Sequence, residues 1–336
     1  MRKTAVIAAL LSFLVCLLAA GVIGLCAGIG IVKGVIDNAP DIDSTSVIPR
    51  GYKSVMVDSD GNKMAELITA GSNRVWVDID NIPEHVQKAF VDVEDERFYK
   101  HNGIDLKGII RAGMKGIASG FRKTEGASTI TQQLLKNSVF DFMSEDTLVE
   151  KIERKLQEQY LALELEKIMT KDEILEAYLN TINLGQNTLG IQAAANRYFN
   201  KDVSELSVSE AAVIAGITKS PTKYNPVTDP EENAKRREIV LDDMKKCGDI
   251  SEEEYQEAMA DDVYDRIQTT NETKSSASVY SYYVDATIAQ VINDLQEVKG
   301  YTSQQAYNLV YNGGLTIETA QDPEVQKIMD EETSNE

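Results

Sequence analysis

The residues that could do chemistry concentrate in positions 93–137. The stretch opens Val93-Glu94-Asp95-Glu96-Arg97-Phe98-Tyr99-Lys100-His101 and closes Gly126-Ala127-Ser128-Thr129-Ile130-Thr131-Gln132-Gln133-Leu134-Leu135-Lys136-Asn137. Glu94, Asp95 and Glu96 are adjacent carboxylates, followed by an aromatic pair and a histidine. A carboxylate turned inward, with its pKa raised by burial or like charge, can act as a general base. Phe98 and His101 could form the wall that turns it. The second half reads as a helix start in which free N–H groups, hydroxyls and Lys136 could hold a phosphate. Gln132 and Gln133 add neutral donors. Farther on, Arg154, Lys155 and Glu158 fall within about one helical turn. The two cations could grip a diphosphate, with Glu158 orienting them or binding a divalent metal.

Each piece also has a plain structural reading. Three acids in a row make a solvated turn, His101 a structural hydrogen-bonding residue, and Ser128 an ordinary helix cap. Arg154 and Glu158 form an (i, i+4) pair of the kind worth a few tenths of a kcal/mol on a helix surface. Composition removes other classes. A net charge of -20 argues against nucleic acid as a partner. Three cysteines cannot build a disulfide framework, and two of them lie in an apolar run. Two histidines without clustered cysteines argue against a zinc site.

The elements that must position these groups follow from capping and periodicity. Met1-Arg2-Lys3 is a basic head, and residues 4–32 carry no charge. That run is long enough to span a bilayer, and the head places the N-terminus in the cytoplasm. Residues 33–80 read as a tether and a small β stalk. Two β-like runs flank Asp58-Ser59-Asp60-Gly61-Asn62, a hairpin signal, and Arg74-Val75-Trp76-Val77 is expected as a third strand.

Helical periodicity takes over at Pro83, with Asn81 as N-cap and Val86, Phe90 and Val93 on one face, ending near Glu94. Asp105 caps a second helix with Leu106, Ile109, Ile110 and Met114 on its apolar side. Its glycines weaken it, and residues 119–126 are expected to be mobile. Ser128 caps a third. A long helix over 146–169 is expected to bury Leu148, Ile152, Leu156, Tyr160 and Leu163. Thr170 with Glu173, Ser207 with Glu210 and Ser251 with Glu254 are capping boxes. Asp229-Pro230 opens a charged helix. Residues 261–281 read as a linker. Helices over 282–298 and 303–311, a strand at 315–318 and a helix opened by Asp322-Pro323 follow.

The two halves of the opening stretch, Arg154-Lys155-x-x-Glu158 and Lys171-Asp172-Glu173-Ile174-Leu175-Glu176-Ala177-Tyr178-Leu179-Asn180 resemble the peptidoglycan glycosyltransferase domain of class A penicillin-binding proteins, glycosyltransferase family 51. Arg197-Tyr198-Phe199 and Ala211-Ala212-Val213-Ile214-Ala215-Gly216 resemble later blocks, so the likeness runs in order over residues 83–259. It implies a mainly α, lysozyme-like helical domain at 81–260 behind a transmembrane helix and a small β stalk. Residues 261–336 would then be a linker and the start of a transpeptidase domain. The implied activity is polymerisation of lipid II into β-1,4 glycan by inverting transfer from the growing, lipid-diphosphate-linked strand. Glu94 matches the general base, and Glu158 the second essential glutamate, beside the leaving diphosphate. Ser128, Gln133, Lys136, Arg154 and Lys155 match the diphosphate and donor site. Asp95, Phe98, His101, Gly126, Thr129 and Gln132 complete the expected substrate-binding set.

The implied cofactor is a divalent cation, Mg2+ or Mn2+, at the diphosphate, with Glu158 as its candidate ligand. The implied partners are lipid II, the growing glycan strand, membrane lipid and other cell-wall synthesis proteins. The implied location is a single-pass protein of a bacterial membrane with its catalytic domain outside. The family carries a further arginine one turn before the Arg-Lys pair. Here Glu150 stands four residues before Arg154. Ser220-Pro221-Thr222-Lys223 matches a transpeptidase Ser-x-x-Lys by chance, since no Lys-Thr-Gly accompanies it. The rival reading is a muramidase or lytic transglycosylase of the same fold class cutting finished glycan.

Overall fold

A computed structural model describes residues 21, 24–43, 47, 54–67, 75–119, 126–140, 147–186, 188–269 and 281–333. Its main elements are the strands β1 Ser54–Val57 and β2 Lys63–Leu67; the helices α1 Glu84–Asp95, α2 Leu106–Ala118, α3 Ile130–Ser138, α4 Leu148–Ile168, α5 Lys171–Thr181, α6 Ile191–Phe199, α7 Val208–Ile217, α8 Pro230–Cys247, α9 Glu252–Ala260, α10 Tyr282–Lys299 and α11 Ser303–Asn312; the strand β3 Thr316–Glu318; and the helix α12 Pro323–Thr333. The mainly helical expectation holds.

Local chemistry sets most boundaries. Capping boxes open α5, α7 and α9 at Thr170, Ser207 and Ser251, as expected. Asp229 caps α8 with Pro230 in its first turn, and Gly248 ends it in the left-handed conformation at φ +84°. Glu150 is structural, forming with Thr147 the capping box that opens α4. Two caps differ from expectation. Pro83, not Asn81, precedes α1, because Asn81 closes a short 3-10 turn. Thr129, not Ser128, caps α3, accepting from the Gln132 N–H at 3.2 Å.

The main core surrounds α7, whose residues Ser209 to Ile217 are all buried. α1 packs against both α7 and α8. α3 packs against α4 and α5, and touches α1 where their ends meet. The expected α4 stripe is corrected in part: Tyr160 packs against the core and Leu156 is half-buried. Leu148, Ile152 and Leu163 are exposed, while Glu158, Leu161, Ala162 and Leu165 face the core. Burying Glu158 turns the helix away from the face a purely apolar reading selects. Likewise α2 presents Leu106, Ile110, Met114 and Ile117 to solvent, each more than 60% exposed.

β1 and β2 form the expected antiparallel hairpin, but its third strand comes from the far end of the chain. β3 pairs parallel to β1, giving the order β2-β1-β3. Residues 75–78 are not a strand. Val77 pairs instead with the buried Asn180 amide, donating to Oδ1 and accepting from Nδ2 at 2.8 Å each. A side-chain amide there replaces a neighbouring strand. A second, smaller core joins Met56 and Leu67 of the hairpin to Val284, Ile288, Val310 and Ile317. Thr302 and Asn308 tie this unit to the end of α3 through the carbonyls of Val139 and Ser138. Within the expected linker, Arg266 is held by Asp261 and Glu210.

Residues 24–37 are helical, with Leu25, Ile29 and Ile31 exposed. Among the described residues no helix is long and apolar enough to cross a membrane. Most of the expected anchor, and residues 120–125 of the expected mobile segment, lie outside them.

Candidate active site

The three adjacent acids leave the end of α1 in three directions. Glu94 points into a cleft of about 560 Å³ that Asp95, Gly126, Ser128, Thr129, Gln133, Lys219 and Arg236 also line. Its Oε2 accepts from Gln133 Nε2 at 2.8 Å and its Oε1 from the Thr218 hydroxyl at 2.6 Å. The Arg236 guanidinium lies 3.9 Å from Oε1. Asp95 turns inward, where its carboxylate contacts His101 Nε2 at 2.9 Å and accepts from the Ile130 N–H at 3.0 Å. Glu96 turns out to Lys246 and Arg111, whose cations hold its carboxyl below the ordinary value.

The carboxylate that burial takes inward is therefore Asp95, and it holds α3 against α1. Of the expected wall of Phe98 and His101, His101 stands against Asp95, the acid that turns inward. Phe98 is fully buried with the Lys171 ammonium 4.3 Å from its ring centre, and His101 serves Asp95. Gln133 and Thr218 position Glu94 instead. Gln133 is itself oriented by Tyr178, whose hydroxyl donates to Oε1 at 3.2 Å. Burial, with the charges of Glu94 and Asp95, raises the Tyr178 pKa and keeps it a donor. The Gln133 amide therefore turns its Nε2 to Glu94.

The N-terminus of α3 is already satisfied in part. Asp95 occupies the Ile130 N–H and Thr129 the Gln132 N–H. A carboxylate thus sits where a phosphate was expected. Lys136 lies in the last turn of α3, about 9 Å along the axis from its start. The cations that reach this end of α3 come from α4. Lys155 Nζ donates to Ser128 Oγ at 2.8 Å, to Gln132 Oε1 at 3.1 Å and to Glu158 Oε2 at 2.9 Å. Arg154 pairs with Glu158 Oε1. Glu158 is 1% exposed, so it lies behind the cleft and is linked to it through Lys155 and Ser128. Both Glu158 oxygens face cations, and the donor set there does not fit a divalent metal.

Gly103 makes this junction possible. Its φ of +78° suits glycine, and a Cβ there would come within 2.5 Å of the Ala162 carbonyl oxygen of α4. Its carbonyl accepts from Thr129 and Gln132 at 2.7 and 3.3 Å. Sequence reasoning missed Thr218, Lys219 and Arg236. The first two follow α7 and Arg236 lies in α8, far along the chain from Glu94, and no local spacing links them to it.

Residues 60–245 match the family described as Transglycosylase. The chain is 39% identical over 312 residues to penicillin-binding protein 1A of Clostridium perfringens (strain 13 / Type A), covering 89% of this chain and 45% of that protein. It is 36% identical over 315 residues to penicillin-binding protein 1A/1B of Bacillus subtilis (strain 168), covering 93% and 33%. A crystal structure of penicillin-binding protein 1A from Haemophilus influenzae aligns at 21% identity and a TM-score of 0.36, covering 80% of this chain and 27% of that one. The chain thus spans less than half the length of these relatives.

Proposed function

The chain belongs to the transglycosylase family, and we propose that it is a peptidoglycan glycosyltransferase that polymerises lipid II. The observation that carries this reading is Glu94, a carboxylate in a cleft with each oxygen held by a separate donor. A sugar hydroxyl is a poor nucleophile and needs a positioned base. In the proposed step the acceptor's 4-hydroxyl gives its proton to Glu94. The oxygen then bonds to the donor's anomeric carbon from the face opposite the diphosphate, and the lipid diphosphate leaves with the electron pair of the broken bond. The carbon inverts from α to β.

Thr218 suits a base that changes charge. Its hydroxyl oxygen lies 2.6 Å from Glu94 Oε1 and 2.7 Å from the Ala215 carbonyl oxygen, and its single proton can be donated fully to only one of them. When Glu94 takes a proton, Thr218 can turn its own to Ala215 and accept from Glu94. On the other side, negative charge building on the diphosphate is met by Lys155 through Ser128, with Arg154 and Glu158 fixing the ammonium.

The exposed apolar face of α2, with Lys107, Arg111 and Lys115 on the same helix, supports a lipid-borne substrate. Leu148, Val149 and Ile152 at the start of α4 are similarly exposed. We place these faces against a membrane, with the growing glycan strand as donor.

The test is Glu94→Gln, which keeps the shape and removes the base. Polymerisation from lipid II should fall by at least about a hundredfold with the helical circular dichroism unchanged. Near-normal polymerisation would sink the assignment. Supplying lipid II and finished wall glycan separately distinguishes synthesis from cutting. Release of fragments from finished glycan, with no product from lipid II, would establish the rival reading.

A further inference from the structure

A second cluster borders the same cleft, which Asp92 also lines, at the end of α8. Asp92, Cys247 and Asp249 each offer a donor atom, and the three atoms lie within 4.8 Å of one another. Asp92 comes from α1, Cys247 ends α8, and Asp249 follows the left-handed Gly248. That turn brings Cys247 and Asp249 back toward Asp92. We propose that these three side chains form a binding site for a thiophilic divalent cation of the zinc type.

Asp92 supplies the independent reason. It is only 6% exposed, yet its Oδ2 has no hydrogen-bond partner. A buried carboxylate oxygen without a donor is costly, and it stands here beside a thiol and a second carboxylate. A dication would give that oxygen its partner.

The donor set suits zinc. One thiolate and two carboxylates are familiar ligands, and tetrahedral bonds of about 2.0–2.3 Å put donors roughly 3.5 Å apart. Small side-chain rotations close the present spacing to that. Cys247 is exposed, which gives an entry path and leaves the fourth position to water. Three anionic donors against a dication leave one negative charge. The Lys88 ammonium, 2.9 Å from Asp249, balances it. The ion would clamp the end of α8 to the helix that carries Glu94. The sequence argued against zinc because it looks for donors clustered along the chain, and Asp92 and Cys247 are not.

The test is metal titration of the full chain in detergent, using zinc for affinity and cobalt for spectroscopy. We expect saturable binding of one zinc per chain and a thiolate-to-cobalt charge-transfer band. The band should survive Cys16→Ser and Cys26→Ser and vanish in Cys247→Ser. Asp92→Asn should weaken zinc binding at least about tenfold. Asp249→Asn tests the same donor set should Asp92→Asn fail to fold, as circular dichroism would reveal. Absence of saturable binding would overturn the site. So would a cobalt band indifferent to Cys247→Ser, or zinc affinity unchanged when either folded carboxylate variant is used.

Discussion

Thr218 donates to Glu94 Oε1 at 2.6 Å from the far end of a helix that starts more than a hundred residues later in the chain. The contact makes Thr218 a positioning residue for the proposed base. Thr218→Val keeps the volume and removes the donor. We expect kcat for polymerisation to fall roughly tenfold, KM to stay within about twofold, and Thr218→Ser to restore most of the rate. A Val variant with unchanged kcat, or a Ser variant as slow as Val, would show that the hydroxyl does not act on Glu94.

Glu158 gives a different signature, because it is buried and serves two cations. Glu158→Gln removes the carboxylate charge that faces both Arg154 and Lys155, and Lys155 then loses the group that aims it at Ser128. Lys155 is 39% exposed, so water meets part of the loss. Urea unfolding should show a decrease of about 1–3 kcal/mol together with severely impaired polymerisation. Lys155→Met should impair activity with a smaller stability change. Full polymerisation by Glu158→Gln would remove the diphosphate role.

Local rules carried far into this fold. Capping boxes gave helix starts at Thr170, Ser207 and Ser251, because a cap is a contact between residues three apart. The Asp-Gly turn gave the β1–β2 hairpin for the same reason. Contacts at long separation were illegible. Asn180 stands in for a strand beside Val77, and β3 completes a sheet begun more than two hundred residues earlier. The site divides similarly. Residue type and spacing offered Glu94, Ser128, Gln133, Lys155 and Glu158 as candidates, and the family resemblance, not local pattern, picked Glu94 from three adjacent acids. That Asp95 would take the α3 N-terminus and that Thr218 would hold Glu94 depended on how α1, α3 and α7 meet. Apolar periodicity misled on α4, where Leu148 and Ile152 are exposed, and on α2 it found an apolar side whose Leu106, Ile110 and Met114 face solvent. Periodicity finds a face but does not say what covers it.

Asp92 should imprint a pH dependence on stability. Its carboxyl is pushed from the ordinary 3.8 to about 7, chiefly by burial and then by Asp249, with Cys247 and Lys88 also facing it. Between those values the folded chain holds a proton that the unfolded chain releases. Stability from this group is therefore present below about pH 4, is lost as pH rises toward 7, and changes little above that. The whole displacement would be about 4 kcal/mol, and partial hydration of the cluster should reduce the observed effect to about 2 kcal/mol. Asp92→Asn removes the titration. With a chelator present, the variant should match the parent near pH 4 and exceed it by about 2 kcal/mol near pH 8 in urea unfolding. Added zinc should narrow the gap at pH 8 by stabilising the parent, since a cation favours the ionised carboxylate. Parallel stability profiles for parent and variant across this range would show that Asp92 is not held protonated in the folded chain.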